Sequence, residues 1–105
     1  MAATNKNARK KAVVDALNKA RSGELHAIYQ YMNQHYNLDD LNYPKLASKM
    51  RAIAIDEMRH AEEFAERIKD LDGEPTAEFS EKVLKAQDIR EIYRFDANLE
   101  DATID

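Results

Sequence analysis

Ile55-Asp56-Glu57-Met58-Arg59-His60-Ala61-Glu62 carries the reading of the whole chain. Glu57 and His60 stand three residues apart in a segment whose apolar positions recur as Met50, Ile53, Phe64, Ile68 and Leu71. Steps of three and four are the period of one helix face. Glu57 and His60 fall on that face, where a helix normally buries leucine or isoleucine. A buried carboxylate without a partner is costly, so something must compensate it. A cation is the most economical answer, because glutamate oxygen and histidine nitrogen are both good metal ligands.

The preceding segment carries the same anomaly. Its stripe reads Val13, Leu17, Ala20, Glu24, Ala27 with Ile28, Tyr31 and His35, and Glu24 again replaces an apolar residue. Two facing helices that each place a carboxylate on the inner side predict a metal site between them.

The spacing predicts a first helix from about residue 8 to 37 and a polar turn over Asn37-Leu38-Asp39-Asp40-Leu41-Asn42. Pro44 suits the first turn of a second helix, where its missing N–H does no harm. That helix is expected to reach Leu71 and stop at Asp72-Gly73-Glu74-Pro75, with Gly73 as the left-handed residue after the helix and Pro75 blocking continuation. So short a connection makes the two helices antiparallel neighbours. Phe79, Val83 and Leu84 suggest a short helical crossover packed over this hairpin. A third helix is expected from about Asp88, with Ile89, Ile92, Tyr93, Asp96, Leu99, Glu100 and Thr103 along one side. It is still amphipathic at Asp105, which reads as a chain interrupted partway through that helix.

Composition fits one small helical domain over residues 1–105. Charged residues make up 34%, with only two Gly and two Pro, a balance that suits long solvated helices better than sheets. A net charge of -4 argues against a nucleic-acid surface and suits the handling of cations. There is no cysteine, which excludes a disulfide framework and any thiolate-bound iron within the chain. No apolar run approaches the ~20 residues of a membrane span, and nothing resembles a signal peptide, so the expected compartment is the cytoplasm.

Gly23-Glu24-Leu25-His26-Ala27-Ile28-Tyr29-Gln30-Tyr31, the stretch Ile55 to Glu62, Arg67-Ile68 and Leu71-Asp72-Gly73-Glu74-Pro75 together resemble bacterioferritin. The resemblance covers about residues 12 to 105, the first two-thirds of that family's chain. It implies an all-α, ferritin-like four-helix bundle in truncated or short form: an antiparallel hairpin, a long crossover and a third helix. The iron site of this class takes one Glu from each of two helices and a Glu-x-x-His from each of the other two. On that pattern Glu24 matches the first-helix ligand, Glu57 the bridging acid and His60 the imidazole ligand. In Arg94-Phe95-Asp96-Ala97-Asn98-Leu99-Glu100, Glu100 matches the third-helix ligand. The fourth-helix Glu-x-x-His has no counterpart. The site would then be completed by a missing segment, by a second copy bringing its own Glu24, Glu57 and His60, or would hold one iron weakly.

Met58 matches the methionine with which two bacterioferritin subunits ligate a b-type haem across a two-fold axis. One step around the helix from Glu57, it lies on a different face, and its soft thioether suits haem iron. The resemblance implies a ferroxidase: Fe(II) oxidised by oxygen or peroxide at a non-haem di-iron site. Ferric mineral would collect in a shell of two-fold dimers, with a ferredoxin-type electron donor for its release. A rubrerythrin-like di-iron peroxidase is a second reading, which the absence of cysteine disfavours. A metal-free helical assembly module, its acids paired by Arg or Lys, is a third. Of the other residues, Tyr31 shares the stripe of Glu24 and suits either the site or the core. His26 and His35 are expected to face solvent or cap a helix, and Glu62, Glu63 and Glu66 to form a solvated face.

Overall fold

Two long antiparallel helices dominate the architecture, α1 over Ala2–Asp40 and α2 over Pro44–Asp70. The structure, a computed structural model, describes residues 2–85 together with 87, 90–92, 94 and 96. The fold is all-α, with no strand among the described residues. α1 is longer than its apolar stripe suggests, at both ends. Its N-terminal turns carry Lys6, Ala8, Arg9, Lys10 and Lys11, which favour helix without any packing. At the other end Leu38 is buried in the core, so the helix continues through the polar stretch 37–40.

Both helices stop in the same way. Tyr43 N–H donates to Leu38 O at 2.8 Å and Asn42 N–H to Asp39 O at 3.2 Å, with Asn42 left-handed at φ 68°. After α2, Gly73 N–H donates to Ile68 O at 2.9 Å and Asp72 N–H to Lys69 O at 3.0 Å, with Asp72 at φ 62°. These are paired Schellman closures that satisfy the last helical carbonyls. The left-handed residue after α2 is therefore Asp72 and not Gly73, as the sequence suggests. Gly73 answers another demand: a Cβ there would stand 2.7 Å from Val14 Cγ1 and 3.0 Å from Ile68 Cγ2. Only glycine lets the chain turn this close under α1.

The buried row of α2 is Ala47, Ala54, Ala61 and Ile68, each seven residues from the next. Seven-residue spacing is the mark of two helices crossing at a shallow angle. Ala47, Met50 and Ala54 join Ala27, Tyr31, Leu38 and Ile92 in one core cluster, with Ile53 packed beside it. Of the apolar stripe seen in sequence, Met50 and Ile68 are buried, while Ile53, Phe64 and Leu71 lie at the edge of this contact, whose centre three alanines occupy. Val13 and Ala20, assigned to the inner stripe of α1, are exposed; Val14 packs inward over Gly73 instead.

The crossover corrects a second expectation, for no residue of 74–85 is helical. It is an extended strap whose backbone is satisfied by side chains of α1. Asn18 Nδ2 donates to Glu74 O at 3.0 Å, and Thr76 N–H donates to Asn18 Oδ1 at 2.8 Å. Gln30 grips Leu84 on both sides, donating to its carbonyl at 2.9 Å and accepting from its N–H at 2.7 Å. Gln30 and Gln34 both donate to Gln87 Oε1 at 3.0 Å, in a buried trio of glutamines. With partners supplied, the strap has no need of helical hydrogen bonds. Phe79 lies on Tyr29, ring centroids 4.9 Å apart. The strap returns the chain to the hairpin end, where residues 90–92, 94 and 96 are helical and Ile92 enters the core. The start of that third helix lies outside the described residues.

Candidate metal centre

Glu24 sits midway along α1, and Glu57 and His60 sit one turn apart on α2. Packing along the alanine row brings the three together. His60 Nδ1 is 3.6 Å from Glu57 Oε2 and 3.8 Å from Glu24 Oε2, and one donor atom from each lies within 4.8 Å of the others. None of these separations is a hydrogen bond. A first-row divalent cation holds nitrogen and oxygen donors at about 2.0–2.2 Å, which leaves two donors on one ion about 3 to 4.4 Å apart. The cluster is open by the amount an ion would fill.

Burial sharpens the argument. The side chains of Glu24 and Glu57 are only 15% and 17% exposed, and Glu24 Oε2 is buried with no hydrogen-bond partner. Among the described residues no Lys or Arg pairs with either acid. Arg59, the nearest basic residue in sequence to Glu57, faces Asp56 at 3.8 Å in an exposed pair. A carboxylate oxygen withdrawn from water and offered no donor is strongly disfavoured. A cation bound between the two acids and His60 removes that penalty, so the donor set fits a metal ion. His60, 53% exposed, forms the open side of the cluster.

Glu100 lies outside the described residues. Met58 is 49% exposed, beside the half-buried Glu57, and so occupies a different face of α2. Two expectations fail. His26 is buried, not solvent-facing. His35 donates from Nδ1 across the hairpin to Ala47 O at 2.6 Å, a link between helices and not an end cap. Tyr31 is fully buried within the core cluster, and Glu62, Glu63 and Glu66 are exposed. Sequence reasoning missed Arg21 altogether. Its position one turn before Glu24 was the available signal, since an arginine next to an apolar stripe needs acceptors.

The chain belongs to the ferritin family: the ferritin-like domain matches residues 14–105. Within it the relatives are bacterioferritins, the group whose motifs the sequence resembles. The chain is 60% identical over 103 residues to the bacterioferritin of Desulfovibrio desulfuricans, covering 98% of this chain and 58% of that protein. It is 38% identical over 93 residues to that of Streptomyces coelicolor, covering 89% of this chain and 56% of the relative. The X-ray structure of the D. desulfuricans bacterioferritin, whose diiron site is described in different catalytic states, superposes with a TM-score of 0.89 at 62% identity. That match covers 91% of this chain and 56% of the other. The chain thus spans little more than half the length of these relatives.

Proposed function

We propose that this chain contributes to a non-haem di-iron centre that oxidises Fe(II), within an assembly that stores the product as ferric mineral. The observation that carries the reading is Glu24 Oε2, buried without a hydrogen-bond partner and facing Glu57 and His60. Similarity to a bacterioferritin with a diiron site supports it. Glu57 would be shared between two metal positions, Glu24 and Glu100 would each serve one, and His60 would complete the ligand set of one. Iron held there would supply the redox chemistry, with oxygen or peroxide as the electron acceptor. The side chains hold charge: hard carboxylates favour the ferric state and so make Fe(II) easier to oxidise. The open side at His60 is where Fe(II) substrate reaches the acids.

Met58, exposed on the outer face of α2, is proposed as a haem ligand shared with a second copy, with electrons for iron release delivered by a ferredoxin-type donor. No described helix is long and apolar enough to cross a membrane. A cytoplasmic location is part of the proposal.

The test is aerobic addition of Fe(II) to the purified protein, followed by absorbance. Rapid growth of the ferric band that saturates near about two irons per site is expected for this class. Glu57→Ala should abolish the fast phase and leave far-UV dichroism unchanged. A Soret band before iron is added would identify bound haem. Oxidation no faster than in buffer, or an undiminished rate in Glu57→Ala, would overturn the assignment.

A further inference from the structure

One guanidinium ties the two helices together at the level of the cluster. Arg21 stands on α1 one turn before Glu24, on the same side of the helix. Its Nη1 donates to Ala61 O at 2.6 Å, and its Nε donates to Thr76 O at 2.9 Å. Ala61 follows His60 directly and lies one turn beyond Glu57. The same side chain therefore fixes α1 beside Glu24, α2 beside Glu57 and His60, and the beginning of the strap. Among the described residues Arg21 pairs with no carboxylate. Its charge goes to two carbonyls, leaving the acids of the cluster for a cation.

The helix contact needs such a device here. Ala54 and Ala61 form the α2 side of the contact, and small side chains give a smooth row that does not interlock. The large interlocking residues lie to either side, with Tyr31 and Met50 toward the hairpin turn and Ile68 toward the other end. A charge-assisted, part-buried hydrogen bond to a main-chain carbonyl fixes the axial register where packing does not. The carbonyl belongs to the backbone between Glu57 and the end of α2, so it cannot swing away as a side chain would.

We propose that Arg21 is a positioning residue for the cation centre: it sets the axial register of Glu24 against Glu57 and His60. This rests on the metal reading above, and the test separates the two. Co(II) serves as probe, titrated into the purified protein while its visible d–d bands are recorded, with dichroism and thermal melting measured on the same samples. Arg21→Met should remain helical yet bind Co(II) about 10- to 100-fold more weakly, the usual loss when a group that orients metal ligands is removed. Its d–d bands should also shift. Arg21→Lys, whose single ammonium cannot span both carbonyls, should fall between, and it decides the matter if Arg21→Met does not fold. Asn18→Ala removes a strap anchor whose hydrogen bonds, among the described residues, go to Glu74 and Thr76 and not to α2. It should lower the melting temperature and leave Co(II) affinity unchanged. Wild-type affinity and spectrum in both Arg21 variants would overturn the proposal, as would an equal loss in Asn18→Ala, which would assign the effect to the strap. If Glu57→Ala binds Co(II) as the wild type does, the metal reading itself fails and the role of Arg21 falls with it.

Discussion

Gly23 and Gly73 make opposite demands, although both read simply as glycine. At Gly73 a methyl would meet Val14 and Ile68 at 2.7 and 3.0 Å. Gly73→Ala should therefore destabilise the fold by about 1–3 kcal/mol, the range for overpacking. Gly23 lies inside α1 with open space around it, so Gly23→Ala should stabilise by about 0.5–1 kcal/mol through helix propensity. Urea unfolding of the two variants should move the midpoint in opposite directions. Glu24 offers a different residue-scale test. Glu24→Gln keeps the shape of the side chain and removes its charge, so the metal-free variant should melt higher than the metal-free wild type. Anaerobic Fe(II) should raise the melting temperature of the wild type, because the ion binds only the folded state, and should raise that of the variant much less. These anomalies were legible from sequence because an acid on an apolar stripe contrasts sharply with its neighbours. His26 was not, since a histidine off that stripe gives no sign of burial. Asp72 was misassigned because the turn has one glycine for two tasks. The close approach to α1 tolerates no Cβ, while aspartate accepts a left-handed backbone.

At the level of elements, the strap over 74–85 owes its conformation to α1. Gln30 alone makes two of its hydrogen bonds, both to Leu84, and a third to Gln87 just beyond it. Gln30→Ala should cost about 1–3 kcal/mol, because it strands buried polar groups. Hydrogen exchange of the Leu84 amide should accelerate well before the amides of α1 and α2 respond. The strap was illegible in sequence for a physical reason. Its partners are more than fifty residues away, Gln30 and Leu84 being separated by 54, while local periodicity sees only neighbours. The extent of α2 could be read from its stripe. Its true contact row could not, because alanine differs too little from polar residues in hydropathy to register as a pattern.

The whole molecule is a rod, 61 × 20 × 20 Å, with a radius of gyration of 16.6 Å. A compact chain of this length would have a radius near about 13 Å. Its accessible surface is 7694 Å² at 12.1 kDa, against about 6,000 Å² for a typical monomer of that mass. Tyr29, Tyr36, Met58, Phe79 and Leu84 are among the large apolar side chains left exposed. Such a surface calls for neighbours. The purified protein should sediment well above 12.1 kDa, and its melting temperature should rise with protein concentration. A concentration-independent melt at monomer mass would count against the shell. The placement of Glu24, Glu57 and His60 on a single hairpin also bears on how the protein is made. A helical hairpin is rich in local contacts and folds fast. These three residues, with both helices that carry them, emerge from the ribosome ahead of the strap. Once α2 has emerged, the nascent chain already holds the three donors, so on the proposed reading a bound cation would stabilise the growing polypeptide before the strap has docked.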